Sequence, residues 1–368
     1  MNKKICILTS VHSPSDHRIF HKEARSLARA GYDVSIIAQH NKSEIVDEVK
    51  IIELPQMKKR LQRLLRLPLR ALRLALKQKA DFYHFHDPEL IPIGLALKLL
   101  GKKVIYDVHE DVSKQILDKN WIGNKNIRKI VSVFFNIFEK FSVKFFVRVV
   151  TATSYIAKRF PKRKTIILRN LPVLKLIENV NTINYKKDKP VMIYAGVLTR
   201  IRGIKKIVQA MEFIKEKGEL WLLGKWESEG FRKECASLKG WKYIKYLGLR
   251  KPNDVYAFLK NADVGICLLY PLERYMVSLP TKAFEYISCS LPIVMSNFPS
   301  WKKNFETCAL FANPYDAENI ASKILYLLNN PDKARELGNK GRQLAEEKYN
   351  WEVEQKKLLD IYEDILNK

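Results

Sequence analysis

The sequence predicts an α/β fold built from two doubly wound, Rossmann-like domains. Three observations support this prediction. The chain has 368 residues, which is more than one hydrophobic core usually serves. Short apolar runs alternate with longer helical patterns in both halves, and a polar segment separates the two halves. Hydrophobic residues make up 47% of the chain, which is enough for two cores and excludes a globally disordered protein.

The first half opens with a strand–helix–strand pattern. An apolar run at 5–9 precedes a helical pattern at 20–30. Gly31 ends that helix, and a second apolar run follows at 34–38. Further runs predict strands at 82–85, 104–106, 149–152 and 165–168. Helical patterns lie between these runs, as expected of a parallel sheet covered on both faces.

The second half repeats this plan after a polar linker at 179–189. Strands are predicted at 191–195, 219–223, 243–246, 264–268, 293–295 and 309–311. Helices are predicted at 204–217, 228–237, 252–261, 281–289 and 316–329, and the tail from 331 is helical and amphipathic. The predicted domains are therefore 1–178 and 190–345, with ligands expected at the carboxyl ends of the strands.

Composition narrows the class of protein. The formal net charge is +27, and residues 1–185 hold 35 Lys and Arg against 16 acids. Such an excess suits nucleic acid, an anionic membrane or a phosphorylated substrate. The five Cys are spread along the chain without a CxxC pair, which disfavours a disulfide framework or a zinc ribbon and favours a reducing cytoplasm. The N-terminus has too few apolar residues for a signal-peptide core, and no apolar run is long enough to span a membrane.

Histidines and carboxylates follow two predicted strands of the first half. His84 and His86 close the strand at 82–85, while Asp107 and His109 close the strand at 104–106. Neighbouring carboxylates can set the tautomer and charge of His109. A metal held by these segments is an alternative, but the ligands are not paired on one helix face. Histidines hydrogen-bonded for purely structural reasons are a second alternative.

Two segments of the second half suit a nucleotide. The sequence VMIYAGVLTRIRG, at 191–203, runs from a strand through a glycine turn to Arg200, Arg202 and a helix start, a combination that suits a diphosphate. No GxGxxG or GxxxxGK[ST] motif is present, which disfavours dehydrogenases and P-loop enzymes. Further on, Lys282 and Glu285 share a helix face, where a carboxylate can accept hydrogen bonds from a ribose diol. A surface ion pair is the alternative.

Several segments, taken in order, resemble a known family. DHRIFHKEARSLARAGYDV from Asp16, HFHDPEL from His84, YDVHE from Tyr106, YAGVLTRIRG from Tyr194 and LPTKAFEYISCSLPIV from Leu279 resemble the two-domain glycosyltransferases of the GT-B fold. More narrowly, the chain resembles retaining bacterial members of glycosyltransferase family 4. The resemblance covers essentially the whole chain. It implies two Rossmann-like domains facing across a cleft, the sugar donor on the C-terminal domain, and a C-terminal helix, 346–368, that crosses back to the N-terminal domain.

The resemblance also implies roles for individual residues. Catalytic roles fall on His109, beside the transferred sugar, and on Arg202. The expected donor-binding residues are Gly196, Arg202, Gly224, Leu279, Thr281, Lys282 and Glu285, of which Glu285 would bind the ribose. The expected acceptor-side residues are Asp16, His17, Arg18 and His86. The family commonly carries a second Glu eight positions before Glu285, where this chain has Val277.

A strongly basic segment at 58–79 predicts an interfacial helix. It contains nine Lys and Arg and no acid, with leucines along one face. The basic residues expected to face an anionic membrane are Arg63, Arg66, Arg70, Arg73 and Lys77. A second stretch, 126–148, places four phenylalanines opposite basic residues. Core helices with a solvated basic face, or nucleic-acid binding, are the alternatives; the absence of aromatic residues from 58–79 disfavours nucleic acid.

Together these features predict a glycosyltransferase. It would move a sugar from a UDP- or GDP-sugar to a lipid-linked acceptor in cell-surface polysaccharide biosynthesis, with retention of configuration. The resemblance implies that no cofactor or metal is needed, because Arg and Lys would stabilise the leaving diphosphate. The expected location is cytoplasmic, peripheral on the inner face of the plasma membrane. A nucleotide-sugar epimerase of the same fold is an alternative, and a basic nucleic-acid-binding protein a less favoured one.

Overall fold

The structure, a computed structural model, divides the chain into two units. It describes residues 2–57, 60–182 and 187–367, and among these the side chains of 60–65 are not described. The first unit is Met1–Asn170 together with Glu354–Lys368, and the second is Leu171–Val353. The second unit thus starts seven positions before the predicted end of the N-terminal domain at 178.

Each unit is built on one sheet. Within the described residues the strands are β1 (Lys4–Leu8), β2 (Asp33–Gln39), β3 (Glu44–Val46), β4 (Val49–Leu54), β5 (Phe82–Phe85), β6 (Lys103–Val108), β7 (Arg148–Thr151), β8 (Thr165–Ile167), β9 (Val191–Ala195), β10 (Glu219–Leu223), β11 (Ile244–Gly248), β12 (Val264–Cys267), β13 (Ile293–Ser296) and β14 (Ala309–Ala312). The predicted strands are all present. The sequence prediction did not include β3 and β4, which add a short hairpin at one edge of the first sheet.

The α-helices follow the same alternation with the strands. In the described residues they are α1 (Arg25–Arg29), α2 (Arg60–Lys77), α3 (Ile91–Leu99), α4 (Val112–Asp118), α5 (Lys125–Val143), α6 (Ser154–Ala157), α7 (Leu174–Glu178), α8 (Ile204–Ile214), α9 (Glu229–Ala236), α10 (Pro252–Asn261), α11 (Glu273–Val277), α12 (Thr281–Ser288), α13 (Pro299–Phe305), α14 (Ala317–Asn329), α15 (Pro331–Glu347) and α16 (Trp351–Leu366). A π-helical turn, Ile19–Ala24, leads into α1.

Both sheets have the strand order of doubly wound folds. The order is β3-β4-β2-β1-β5-β6-β7-β8 in the first sheet and β11-β10-β9-β12-β13-β14 in the second. Every pairing in the described residues is parallel except that of β3 with β4. The order reverses beside β1 in one sheet and beside β9 in the other, and such reversals open a crevice at the carboxyl ends of the strands. Candidate ligand-binding residues are therefore expected in the loops after these strands.

Helices pack against the sheet in each unit, and the side chains buried between helices and sheet form the hydrophobic core of that unit. In the second unit one cluster of buried residues lies around Trp221 and Trp301, and the other around Met211 and Ile324. In the first unit Tyr83, Tyr106 and Phe146 lie in one buried cluster. No helix of the described residues is long and apolar enough to cross a bilayer.

The last helix, α16, returns to the first unit. Its residues from Glu354 onward belong to that unit. The Tyr362 hydroxyl contacts His84 Nδ1 at 2.8 Å, and Lys103 Nζ donates to the Ile365 carbonyl at 2.7 Å. The return of the C-terminal helix to the N-terminal domain is thus confirmed.

The basic helix α2 packs on the first sheet along one side. In its described part Leu67, Ala71 and Ala75 are fully buried, whereas Arg66, Arg70, Arg73 and Lys77 are exposed. The side chain of Arg63 lies outside the described residues. From residue 66 onward, α2 therefore has an apolar face in the core and a basic face toward solvent, which is the core-helix alternative left open by the sequence.

Candidate active site

Two glycines shape the carboxyl edge of the second sheet. Gly196 follows β9 and Gly224 follows β10, both with φ of +139°. A Cβ at Gly224 would lie 1.9 Å from the Gly196 carbonyl oxygen, so only glycine allows these two loops to approach so closely. The Gly196 N–H donates to the Leu223 carbonyl at 2.8 Å, which fixes the first loop to the second strand. Because residue 196 has no side chain, its backbone is accessible beside two cationic side chains.

Lys282 and Arg202 are those cations. A Cβ at Gly196 would lie 3.2 Å from Lys282 Nζ and 3.6 Å from Arg202 Nη1. The charged ends of both side chains therefore lie next to the Gly196 backbone. The Lys282 ammonium also lies over the Tyr194 ring, 3.2 Å from its centroid. Burial, reinforced by the neighbouring Arg202, lowers the pKa of Lys282 to about 7. A cation that is costly to bury gains most from an anionic ligand.

Arg200 and Arg202 lie two residues apart but have different surroundings. Arg200 Nε lies 3.5 Å from Glu227, its Nη2 is paired with Glu234, and its guanidinium stacks over a phenylalanine ring. Arg202 Nη1 donates to the carbonyl of Val197 at 3.1 Å and stays beside Gly196. Of the two arginines predicted at a diphosphate, the structure brings only Arg202 to Lys282.

The helix α12 carries the remaining predicted donor residues. Lys282 lies in its first turn, and Glu285 lies three residues further on the same face, half-buried. Before it, Leu279 packs against the core and Thr281 is exposed. Val277 is also exposed, at the end of α11, so no carboxylate occupies that position. The loop is anchored by Trp301, whose Nε1 donates to the Ser278 carbonyl at 2.7 Å.

The first unit contains a separate cluster of histidines and carboxylates. His84 and His86 stack at the end of β5 with ring centroids 4.8 Å apart. His86 Nδ1 lies 3.0 Å from His109 Nε2, and Asp107 Oδ1 lies 3.3 Å from the same nitrogen. Asp107 can accept the Nε2 proton of His109, which leaves Nδ1 of His109 as a hydrogen-bond acceptor. His109 is the part-exposed member of this group, at 19% of its side chain.

A buried arginine holds the cluster together. The Arg18 guanidinium contacts Asp107 Oδ2 and Glu23 Oε1, each at 2.8 Å, and donates to the Leu168 carbonyl at 2.9 Å. Burial would raise the pKa of Asp107, but Arg18 and then His109 hold it well below its usual value. Burial raises the pKa of Glu23 well above its usual value despite Arg18. The pKa values of the two carboxyl groups around one guanidinium are thus shifted in opposite directions.

Burial also keeps the supporting histidines neutral. It lowers the pKa of His84 to about 4 and holds that of His86 well below its usual value. Glu23, His84, His86 and Asp107 offer ligand atoms within 4.8 Å of one another, a spacing that a cation could use. However, the Arg18 guanidinium already contacts both carboxylates, and a metal would have to displace it or lie against it. The arrangement fits a buried ion network better than a metal site.

Two of the predicted acceptor-side residues have a different position from the one predicted. Arg18 and His86 are each only 3% exposed, because the ion network and the strand end enclose them. His86 contacts His109, and Arg18 contacts Asp107, which in turn contacts His109. Asp16 is half-buried and His17 is exposed. Burial would raise the pKa of Asp16, but hydrogen bonds from His12 and from the Arg18 and Ile19 amides outweigh this effect and lower it.

Sequence reasoning missed several residues of these two clusters. Glu23 and Tyr362 are buried partners of the histidines, and Tyr194 lies beneath the Lys282 ammonium. His12 lies 3.4 Å from Asp87 and 5.6 Å, between ring centroids, from His109. Glu23 could have been noticed as an acid on a mostly apolar helix face. Tyr362 carries no such signal, since it reaches the cluster from the far end of the chain.

Family comparisons agree with this architecture. A family model described as "Glycosyltransferase Family 4" matches residues 17–166, and one described as "Glycosyl transferases group 1" matches residues 177–344. The two matches fall on the two units and together span most of the chain.

Three curated proteins are similar in sequence. Spore coat protein SA of Bacillus subtilis is 25% identical over 48% of this chain and 49% of its own length. The capsular polysaccharide biosynthesis glycosyltransferase CapM of Staphylococcus aureus is 24% identical over 49% of this chain and 47% of its own. The chain thus spans about half the length of these two relatives. The MMP alpha-(1->4)-mannosyltransferase of Mycolicibacterium hassiacum is 22% identical over 81% of this chain and 74% of its own.

Solved structures share the fold over the whole length. Sucrose-phosphate synthase from Thermosynechococcus elongatus has a TM-score of 0.77 at 18% identity and covers 100% of both chains. HepE from Anabaena, solved in complex with UDP-glucose, has a TM-score of 0.74 at 12% identity, with 98% of this chain and 99% of its own covered. The likeness establishes the GT-B fold. With the two family matches, it leads to one conclusion: the chain belongs to the group 1, family 4 glycosyltransferases.

Proposed function

We propose that this glycosyltransferase uses a nucleoside diphosphate sugar, a UDP- or GDP-sugar, as its donor. The observation that carries the proposal is the pair of cations beside Gly196, where a side chain would fill the space and the Lys282 ammonium is costly to bury. A diphosphate offers the negative charge that such a site lacks. The structural neighbour HepE, solved with UDP-glucose, supports the choice of donor class.

Each donor residue has a role that follows from its chemistry. Arg202 and Lys282 would bind the diphosphate and stabilise the charge that develops on it as the glycosidic bond breaks. Glu285, one turn along α12 from Lys282, would accept hydrogen bonds from the ribose hydroxyls. Leu279 and Thr281 would flank the nucleotide through the backbone before α12. Two cations can supply this stabilisation without a metal ion, and the reaction is proposed to be metal-independent.

His109 is proposed to act on the transferred sugar. Asp107 and His86 fix its ring, and the resulting tautomer presents Nδ1 as an acceptor for a sugar hydroxyl. The acceptor hydroxyl would attack from the face that the diphosphate leaves, which retains the anomeric configuration. Its proton would pass to the departing phosphate oxygen. Asp16 and His17, on the loop after β1, are proposed to contact the acceptor.

The acceptor is proposed to be carried on a lipid, in the assembly of a cell-surface polysaccharide. The name of the relative CapM supports this pathway class. The exposed basic face of α2, with Arg66, Arg70, Arg73 and Lys77, suits a location at the anionic inner surface of the plasma membrane.

A titration with UDP and GDP tests the donor site. We expect Arg202→Ala and Lys282→Met each to weaken binding of the preferred nucleotide by about tenfold or more, because each removes a charge-assisted contact. Arg200→Ala is the matched control. It removes a side chain of the same type two residues before Arg202, where the guanidinium is already paired with Glu227 and Glu234. Isothermal titration calorimetry gives the affinities.

Two results would contradict the assignment. One is an Arg202→Ala protein that binds the nucleotide as tightly as wild type. The other is an Arg200→Ala protein that is weakened as much as the Arg202 variant, since the effect would then reflect overall charge rather than a site above Gly196.

A further inference from the structure

One side of α5 is apolar and exposed to solvent. Phe134 is 70% exposed, Ile137 is 59% exposed and Phe141 is 54% exposed. Six further apolar side chains of the same region are exposed by more than a third: Ile127, Ile130, Val131, Val133, Phe138 and Phe145. Trp121, just before the helix, is 58% exposed. Large apolar side chains rarely form a contiguous exposed patch on a soluble protein without a partner.

The helical period shows that these side chains form one stripe. Ile127, Ile130, Phe134, Ile137 and Phe141 recur at intervals of three or four residues, so they lie on one face. The opposite face is attached to the first unit, where Glu139, Ser142 and Val143 are buried. The exposed stripe is therefore a second apolar surface on a helix that has already been anchored by its other side.

Basic residues border the stripe on one flank. Lys129, Lys140 and Lys144 fall next to the apolar stripe when the helix is viewed down its axis, and Lys140 and Lys144 are exposed. Residues 119–164 contain twelve Lys and Arg and one acid, Glu139. That acid is buried and bonded to Arg159 at 2.6 Å and Tyr106 at 3.0 Å. Within residues 119–164 the charge presented to solvent is therefore of one sign, whereas Asp118, exposed at the end of α4, directly precedes this range.

A basic hollow lies on the same flank. Its volume is about 410 Å³, and its lining includes Lys140 and Asn136 from α5 together with Lys114, Lys158, Arg159 and one acid, Asp111. Asp111 is paired with Arg159 at 3.0 Å, so the lysines are the cations that remain in excess. The hydroxyl groups of Ser113 and Ser132 already donate to Asp111 and to the Ser113 carbonyl, and the Tyr155 hydroxyl accepts from Lys114. The lysines of this lining suit a phosphate group close to the apolar stripe.

We propose that α5 docks the protein on an anionic lipid bilayer. The phenylalanine stripe and Trp121 enter the boundary between head groups and acyl chains, while Lys140, Lys144 and the lysines of the hollow contact lipid phosphates. Amphipathic helices lie in this way when an apolar face is bordered by basic residues. This deepens the proposed function, because a lipid-borne acceptor has to be met at a bilayer, but the docking itself requires no transfer activity.

The charge pattern favours lipid over a second copy of the chain. Two copies joined through this stripe would bring two rows of lysines together with no exposed acid among residues 119–164 to pair with them.

Burial distinguishes α5 from α2, the helix that the sequence predicts to lie at the membrane surface. In α2 the leucine and alanine side chains Leu67, Ala71 and Ala75 are used by the core. Its basic face can add charge but little apolar surface.

Vesicle flotation tests the proposal. Wild type is expected to float with vesicles of phosphatidylcholine and phosphatidylglycerol at low salt, and to float less with phosphatidylcholine alone or at high salt. The double variant Phe134→Ser with Phe141→Ser should lower the vesicle partition coefficient by about tenfold or more. The matched control is Phe213→Ser with Tyr326→Ser, which removes aromatic side chains of similar exposure in the second unit.

A second pair separates charge from apolar contact. Lys140→Gln with Lys144→Gln should weaken binding to phosphatidylglycerol vesicles, whereas Lys302→Gln with Lys303→Gln, also exposed, should not. The proposal fails if wild type does not float, if both aromatic variants float equally well, or if sedimentation shows a dimer that the Phe134/Phe141 variant breaks.

Nucleotide titration keeps the two proposals apart. A protein that floats through α5 but binds no nucleotide retains the docking surface and loses the donor site. A protein that binds the nucleotide in all variants but does not float loses only the docking surface.

Discussion

Neighbouring residues of the same type have different roles in this protein. Arg200 is held by two glutamates and Arg202 is directed to the space above Gly196, although both belong to the same short turn. Lys282 has a lowered pKa because it is buried, and that condition makes it useful for binding an anion. Burying this cation lowers the stability of the ligand-free protein, as residues of binding sites often do.

Replacing Lys282 should therefore stabilise the ligand-free protein. The folded-state pKa of about 7 lies below the usual 10.5, so folding disfavours the charged form. The resulting loss of folding free energy is complete below about pH 7, where Lys282 is charged in both the folded and the unfolded chain. It decreases as the pH rises from the folded-state pKa to the unfolded-state pKa of 10.5, and it is absent above that pH. Lys282→Met should raise the melting temperature at neutral pH, with a gain that shrinks toward alkaline pH.

Thermal unfolding of wild type and Lys282→Met across this range checks the prediction. Lys302→Met, an exposed lysine of the same unit, is the control and should change little at any pH. A Lys282→Met protein that is less stable than wild type at pH 7 would show that the ammonium is not penalised by burial.

At the scale of elements, α2 and α5 have similar sequence patterns and different environments. Both are amphipathic, basic and in the first unit. In the described part of α2, Leu67, Ala71 and Ala75 are buried in the core of the first unit, whereas a broad apolar stripe of α5 faces solvent. The difference arises because α5 is anchored through a narrow set of residues around Glu139 and Val143.

Two leucines in α2 offer a matched test of this assignment. Leu67 is fully buried and Leu69 is 61% exposed. Leu67→Ala should lower the free energy of unfolding by about 2–5 kcal/mol, because it leaves a cavity in the core. Leu69→Ala should change it by about 0.5 kcal/mol or less. Chemical denaturation measures both; equal effects would mean that α2 is not docked on the sheet as described.

The sequence alone predicts a large part of the fold and a smaller part of the site. Apolar runs such as 191–195 and 264–268 predict their strands because buried parallel strands are continuously apolar. Periodicity predicts that 58–79 has an apolar face, but it cannot tell whether the sheet or a membrane covers that face. The sequence likewise does not show which polar residues are enclosed. Arg18 and His86 were predicted on the acceptor side, but both are buried, Arg18 by its ion pairs with Glu23 and Asp107.

At the scale of the whole molecule, the excess charge belongs mainly to the first unit. Residues 1–185 carry 19 of the 27 net positive charges, by 35 basic against 16 acidic residues. Exposed lysines and arginines of α2 and around α5 account for much of this excess. The proposed donor site needs only Arg202 and Lys282. We therefore propose that the general excess charge serves the membrane contact, whereas two specific cations bind the nucleotide.

We propose that the protein transfers a sugar from a nucleoside diphosphate donor through the site at Gly196, Arg202 and Lys282. The most direct measurement is transfer of labelled sugar from a panel of UDP- and GDP-sugars to a membrane lipid extract, with the anomeric configuration of the product read by NMR. We expect a lipid-linked product with retained configuration, and a transfer rate that falls by about a hundredfold or more in Arg202→Ala but not in Arg200→Ala. Transfer that is unchanged in Arg202→Ala, or a donor sugar that is only epimerised, would contradict it.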